Sequence, residues 1–214
     1  PFGQYQVDDR AYNKLGFSIH DYFFAKTLDQ VRPGGVIAFV TSRYTMDKQS
    51  PEVRRYIAQR AELLGAIRLP NNAFRANAGT DVVSDILFLQ KRDRPIEIEP
   101  DWVYLGQNED GFAINRYFLD HPEMVLGRQE PESTAHGMDY TVNPIEGLEL
   151  ADQLHDAVKH IRGTYQEADL PELGEGEAID TSIPADPNVK NYSYTVVDGD
   201  VYFRENSRMV RPDL

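Results

Sequence analysis

Cysteine is absent from the 214 residues, which excludes a disulfide framework, a thiolate zinc site and a cysteine nucleophile. A reducing compartment suits such a chain, and a cytoplasmic location is expected. No run reaches the ~18 apolar residues of a membrane span, and no basic-then-apolar leader opens the chain, so no membrane partner is expected. There is no Gly-x-x-x-x-Gly-Lys-Ser/Thr phosphate loop. The 5 histidines do not cluster; His155 and His160 stand five apart, which does not put them on one helical face as i and i+4 ligands. No metal site is expected. Asp8-Asp9 and the pair Glu97 and Glu99 read as exposed acids, and Asp198-Gly199-Asp200 lacks the later ligands of a calcium loop. Basic residues are few, with 22 Lys and Arg against 35 Asp and Glu and a net charge of −13. That balance opposes non-specific attachment to nucleic acid, which depends on cations displacing counterions from phosphate. Contact with DNA would need a local patch. An initiator methionine is also missing, since the chain opens P-F-G-Q-Y; processing or a boundary inside a longer protein is the expected cause.

What is present reads as alternating helices and strands. Phe17 to Val31 has Ser18 as a cap, Asp21 at the capping-box position, and His20, Phe24, Leu28 and Val31 at helical spacing. Arg32-Pro33-Gly34-Gly35 ends it. Val36 to Thr41, V-I-A-F-V-T, is a continuous apolar run, expected to be a strand buried on both faces of a parallel sheet. Ser50-Pro51-Glu52 announces a second helix with a stripe of Val53, Tyr56, Ile57, Ala61 and Leu64, stopped by Gly65. Strands are expected at Ala66 to Leu69 and Val82 to Leu89. This order is half of a doubly wound α/β sheet. Pro95 to Leu105 reads as an edge strand, and Phe112 to Gly127 as loop and short helix. Glu146 to Ile161 reads as an amphipathic helix with Leu150, Leu154, Ala157, Val158 and Ile161 on one face. No basic residue lies between Arg162 and Lys190, and Gly163 to Asn188 reads as a solvated acidic linker. Tyr192 to Phe203 carries alternating runs around Asp198-Gly199, the signal of a two-residue hairpin turn.

An ordered series of blocks resembles adenine-N6 DNA methyltransferases. Those enzymes carry a tetrapeptide Asn/Asp-Pro-Pro-Tyr/Phe after their fourth strand, and this chain resembles one cut inside it, leaving Pro1-Phe2 followed by Gly3. Arg32 to Tyr44 resembles the family's fifth strand and following loop, Leu63 to Phe74 its sixth strand, and Gly79 to Arg92 its seventh. Ile114 to Gly127 and the tail from Ile183 to Met209 resemble the methylase part of large helicase-methylase fusion proteins of mobile elements, with restriction-modification as the implied setting. The resemblance implies an α/β fold: a partial Rossmann-like methyltransferase sheet (its second half), a helical and irregular extension, and a C-terminal β-hairpin. The implied divisions are 1–92 for the catalytic half, 93–162 for the extension, 163–190 for the acidic linker and 191–214 for the hairpin tail.

The resemblance assigns Pro1 and Phe2 to the catalytic group. Phe2 would be the aromatic platform for an adenine lifted from the stack. The cofactor implied is S-adenosylmethionine, but in the usual family order its glycine-rich loop precedes the tetrapeptide. The one downstream candidate, Gly174-Glu175-Gly176, follows no strand and opens no helix, so no residue is assigned to the cofactor. The chain alone is therefore expected to be inactive. Arg43 and Lys48 are either solvated loop charges or contacts to DNA phosphate. Asn71, Asn72 and Asn77 are either turn formers or contacts to the base or strand. The implied partner is DNA. Self-association through an exposed sheet edge is also expected, and light scattering would detect it. Two other functions stay open: a non-catalytic interaction module of a helicase-methylase fusion, and a methyltransferase acting on RNA or protein.

Overall fold

The structure is a computed structural model and describes residues 8–10, 12–13, 16–75, 81–166 and 182–211. The chain divides into two compact units, Pro1–Glu167 and Ala168–Leu214. It is a mixed α/β protein with several antiparallel sheets.

In the first unit α1 spans Ile19–Gln30, capped by Ser18 with Asp21 completing the capping box. It buries Phe24, Ala25 and Leu28. The Pro33-Gly34 turn leads into β1, Val36–Ser42. A one-turn helix α2, Tyr44–Asp47, and then α3, Glu52–Arg60, carry the chain to β2, Ala61–Arg68. After the next loop β3, Ser84–Lys91, closes the sheet. The order is β1-β3-β2, and β3 pairs antiparallel with both neighbours. The outer two strands therefore run parallel to each other, joined by a helical crossover, with the reversed strand between them.

Two expectations about this sheet need correction. The first concerns burial of β1. Its alternation puts Ile37 and Thr41 inside, but Val36 and Val40 are each 59% exposed, and among the described residues its one hydrogen-bonded neighbour, β3, runs antiparallel to it rather than parallel. The inner face is covered by α1, where Phe24 meets Phe39 at 4.3 Å between ring centroids. On the outer face Ile161 closes on Gly65 of β2: a Cβ there would stand 2.8 Å from Ile161 Cδ1. The second concerns α3. It stops at Arg60, so Ala61 and Leu64 belong to β2 rather than to a helical stripe. Gly65 lies where the β2–β3 register shifts; it does not end a helix. Helical spacing happens to continue past Arg60, while the ladder with β3 begins at Ala61↔Lys91 and overrides it.

The extension from 93 to 162 shares the core of the sheet, with Trp102, Val103, Ile114, Phe118, Met124 and Val142 in one cluster with Ile57, Ile67 and Leu87. Pro95 to Leu105 is not an edge strand. It leads to a 3-10 turn at Asp101–Val103 that buries Trp102 and Val103, and only then to β4, Leu105–Gln107. β4 pairs with β5, Ala113–Asn115, and Asn115 caps α4, Arg116–Asp120. The segment Arg128 to Asn143, for which no element was expected, is an antiparallel ribbon of β6, Arg128–Thr134, and β7, Gly137–Asn143. The amphipathic helix is shorter than its pattern: α5 covers Leu150–Ala157 and continues as a 3-10 turn to His160, leaving Val158 43% exposed.

The second unit is a four-stranded antiparallel sheet, ordered β8-β11-β10-β9. β9, Tyr194–Val197, turns into β10, Asp200–Glu205, through Asp198 at φ 52° and Gly199 at φ 92°, the left-handed pair a tight hairpin turn demands. A second turn with Asn206 at φ 58° adds β11, Arg208–Val210. β8, Ile183–Pro184, pairs with β11. The expected lone hairpin is thus a larger sheet, and part of the expected linker is one of its strands. Residues 167–181 of the acidic segment, with Gly174-Glu175-Gly176, lie outside the described residues.

Candidate functional site

In an open α/β sheet, ligands bind beyond the carboxyl ends of the parallel strands. Here the carboxyl ends of β1 and β2 hold a buried ionic cluster and, beside it, a cleft. Arg68 ends β2 with its side chain fully buried. Its Nε and Nη2 donate to the two carboxylate oxygens of Asp85, each at 2.8 Å. Nη2 also donates to Asp47 Oδ1 at 3.0 Å, and Nη1 stands 2.9 Å from Asp47 Oδ2 as an ion pair. The guanidinium lies over the Phe118 ring at 4.2 Å. Burial alone would lower the Arg68 pKa, but Asp85 and Asp47 outweigh it and hold the group well above its ordinary value. The same burial pushes the Asp85 carboxyl up, against the pull of Arg68. The bidentate geometry is that of an ionised pair.

Asp47 is the hub of this cluster. Its Oδ1 also accepts the Asn115 amide at 3.0 Å, and its Oδ2 accepts Arg43 Nη1 at 3.3 Å. Asn115 in turn donates to the carbonyls of Met46 and Trp102, each at 2.8 Å. The short α2 is thereby fastened to β5. Arg54, from α3, donates to the carbonyls of Val103 and Thr45 at 2.8 and 3.2 Å, and its Nη2 is buried without a hydrogen-bond partner. Desolvation pushes its pKa down to about 10.

The sequence-derived site residues meet different fates. Arg43 is not a solvated loop charge. It is 7% exposed, donates to Asp139 Oδ1 on β7 at 2.8 Å, and lies over the Tyr44 and Tyr140 rings at 4.4 and 5.4 Å. Lys48 is half exposed, 3.8 Å from Asp21. Asn71 docks the ribbon: its Nδ2 donates to Thr141 Oγ1 and Asn143 Oδ1, each at 3.1 Å, and its backbone amide to the Val142 carbonyl at 2.8 Å. Asn72 is exposed on the following turn. Pro1, Phe2 and Asn77 lie outside the described residues.

The cleft beside Arg43 and Asp47 has a volume of about 490 Å³. Its walls include Tyr44, Lys48 and Gln49 from the α2 region, Phe112 beside β5, and Tyr140 on β7. Tyr44 is 54% exposed with Arg43 behind one face of its ring. Its hydroxyl stands 3.4 Å from Asp139 Oδ2. Sequence reasoning missed Tyr44, Gln49, Phe112 and Tyr140. For Tyr44 a signal existed, an aromatic residue just past a strand's carboxyl end; Phe112 and Tyr140 arrive by long-range packing.

The Gly-Gly step next to a strand does not offer a cradle for S-adenosylmethionine. The one Gly-Gly step next to a strand, Gly34-Gly35, precedes β1 instead of following it. The space over its α-carbons is filled: a Cβ added to Gly34 would run into the Gln166 side chain, and one added to Gly35 into Val31 Cγ1. Among the described residues no group of three or more His, Cys, Asp or Glu side chains could hold a metal ion, and no helix is long and apolar enough to cross a membrane.

Comparison with known proteins gives one partial likeness. The chain is 35% identical over 71 residues to the Defense against restriction protein B of Escherichia phage P1. The match covers 33% of this chain and 3% of the phage protein, so the chain spans a small part of that relative's length. No protein-family profile matches, and no solved structure matches.

Proposed function

We propose that the chain is part of an S-adenosylmethionine-dependent adenine-N6 DNA methyltransferase, contributing the second half of its catalytic sheet and a DNA-facing cleft. The observation that carries this reading is the arrangement of the three blocks that resemble the family's fifth, sixth and seventh strands. All three become strands of a single sheet, β1, β2 and β3, and a cleft opens where the carboxyl end of β1 meets α2. The partial likeness to a far longer phage protein, whose name refers to restriction, supports a DNA-related setting and a large parent chain.

The residues present do not carry the whole reaction. On this reading the Asn/Asp and first proline of the tetrapeptide, together with the cofactor loop, come from elsewhere in the parent, and the 214-residue chain alone transfers no methyl group. What the described residues contribute is position. The Arg68–Asp47–Asp85 cluster fixes α2 against the ends of β2 and β3, and Arg43 ties the same turn to β7. The carboxyl edge is thereby held rigid, as a site that orients a base requires.

An interaction module of a larger fusion protein is the second reading, favoured by the ion pairing of Arg43 with Asp47 and Asp139, which leaves that cation committed within the protein. Methyl transfer separates the two. The longer parent, incubated with DNA and S-adenosylmethionine, is expected to yield N6-methyladenine detectable by mass spectrometry of the digested nucleosides. Absence of any methylated adenine from an intact, folded parent removes the methyltransferase reading.

A further inference from the structure

The four-stranded sheet of the second unit has one closed face and one open one. On the closed face Tyr202 and Met209 are buried, and Arg204 Nη1 donates to the Asp186 carbonyl at 2.9 Å, drawing the loop before β9 to that side. Alternation sends the neighbouring side chains the other way. The register Tyr194↔Phe203↔Val210 makes one row on the open face, and Val196↔Val201 makes the next. Neither row holds a charge. Tyr194 is 67% exposed and Val196 65%, and Val201 and Val210 also lie open. Together they form an apolar patch on the order of 400 Å², as large as the patches through which ordinary monomers bind partners. The unit is also locally neutral in a chain of net charge −13. Among its described residues Lys190, Arg204, Arg208 and Arg211 balance Asp186, Asp198, Asp200 and Glu205.

We infer that this open face docks on the same face of a second copy of the chain, sheet against sheet. The inference goes beyond the proposed function and does not depend on it. Two observations select a second copy as the occupant. The first is shape: one row is bulky and aromatic at Tyr194 and Phe203, and the next is small, with Val196 and Val201. A two-fold axis lying between the rows sets Tyr194 of each copy over Val196 of the other, and Phe203 over Val201. Large against small is how facing layers interdigitate, and sheets stacked with their strands within about 30° keep such rows together. The second is charge. Two chains of this acidity repel each other over most of their surface, and a neutral unit with an uncharged face is where copies meet at least cost. The patch is about half of the ~800 Å² per partner in a standard interface, so the dimer is weak and forms reversibly with concentration.

The test follows self-association of the 214-residue chain by sedimentation velocity from about 10 μM to about 1 mM, the range that reads weak dissociation constants. The native chain is expected to shift from monomer toward dimer across that series. Val196→Lys adds a charge at an exposed position and leaves the closed face alone; it is expected to weaken dimerisation roughly tenfold or more. Val196→Ile is expected to keep it. Val40→Lys, on the open strand of the other sheet, is expected to leave it unchanged. In a mixture of isotope-labelled and unlabelled chains, intermolecular nuclear Overhauser effects are expected from the Phe203 ring to the Val201 methyls and from the Tyr194 ring to those of Val196. A chain that stays monomeric throughout leaves the face to a different partner and overturns the inference. So does dimerisation that survives Val196→Lys, or that Val40→Lys abolishes. None of these outcomes depends on whether the parent methylates adenine.

Discussion

The two ends of the three-stranded sheet are both rich in cations, and they use them differently. At the carboxyl ends of β1 and β2, Arg43 and Arg68 are buried and paired with the carboxylates of Asp47, Asp85 and Asp139. At the opposite end, Lys91 Nζ donates to the Val31 carbonyl at 2.6 Å and the Asp29 carbonyl at 3.3 Å, at the end of α1. Arg92 Nε donates to the Ala58 carbonyl at 3.1 Å and Arg60 Nη1 to the Tyr56 carbonyl at 3.2 Å, both in the last turns of α3. These cations answer the carbonyls and negative dipole ends that finished helices leave behind. One end binds charge to charge in the interior and shapes a cleft; the other caps helices at the surface. A basic cluster is thus not by itself a phosphate site, and what each cation already touches decides the matter.

The largest expected effect in this contrast comes from Arg68. Arg68→Met removes the cation that Asp85 pairs with at hydrogen-bond distance and strands that buried carboxylate, while Asp47 keeps Arg43 and the Asn115 amide; the loss is expected to be about 3–5 kcal/mol. Urea denaturation is expected to show that loss. Arg54→Met, by comparison, deletes a desolvated cation with one unpartnered nitrogen and is expected to cost less than half as much, because no buried carboxylate is orphaned. Equal losses for the two arginines would show that the pairing with Asp47 and Asp85 does not set this end apart.

A smaller effect is expected at the other end. Lys91→Ala removes a partly exposed cap of α1 and is expected to lower stability by about 0.3–1 kcal/mol, a shift that salt diminishes. A loss as large as that of Arg68→Met would erase the distinction between the two ends.

Local signals in the sequence made several elements legible. The Ser18 and Asp21 box marks α1, and Asp198-Gly199 marks the β9–β10 turn, because each works through contacts a few residues apart. The apolar run of β1 was legible as a strand, but not its exposure: six consecutive apolar and β-branched residues signal burial, while Val36 and Val40 find no cover. The ribbon β6–β7 escaped notice because Arg128 to Thr134 is polar on both faces and shows no alternation. Its place is set by Asn71 and by Arg43, whose partner Asp139 lies 96 residues away. The same distance hid most of the candidate site. Arg43 and Lys48 could be picked out by their position after β1, whereas Phe112 and Tyr140 reach the cleft only through the packing of the extension onto the sheet.

Where a DNA strand meets this molecule is the most direct test, and backbone amide shifts during titration with a single-stranded oligodeoxynucleotide report it residue by residue. The expected result is a set of perturbations concentrated at Tyr44 to Gln49, Phe112 and Tyr140, with the Lys91 to Arg94 end unchanged. Perturbations gathered at Lys91 to Arg94, or at the open β1 edge alone, would contradict the assignment of the carboxyl-end cleft.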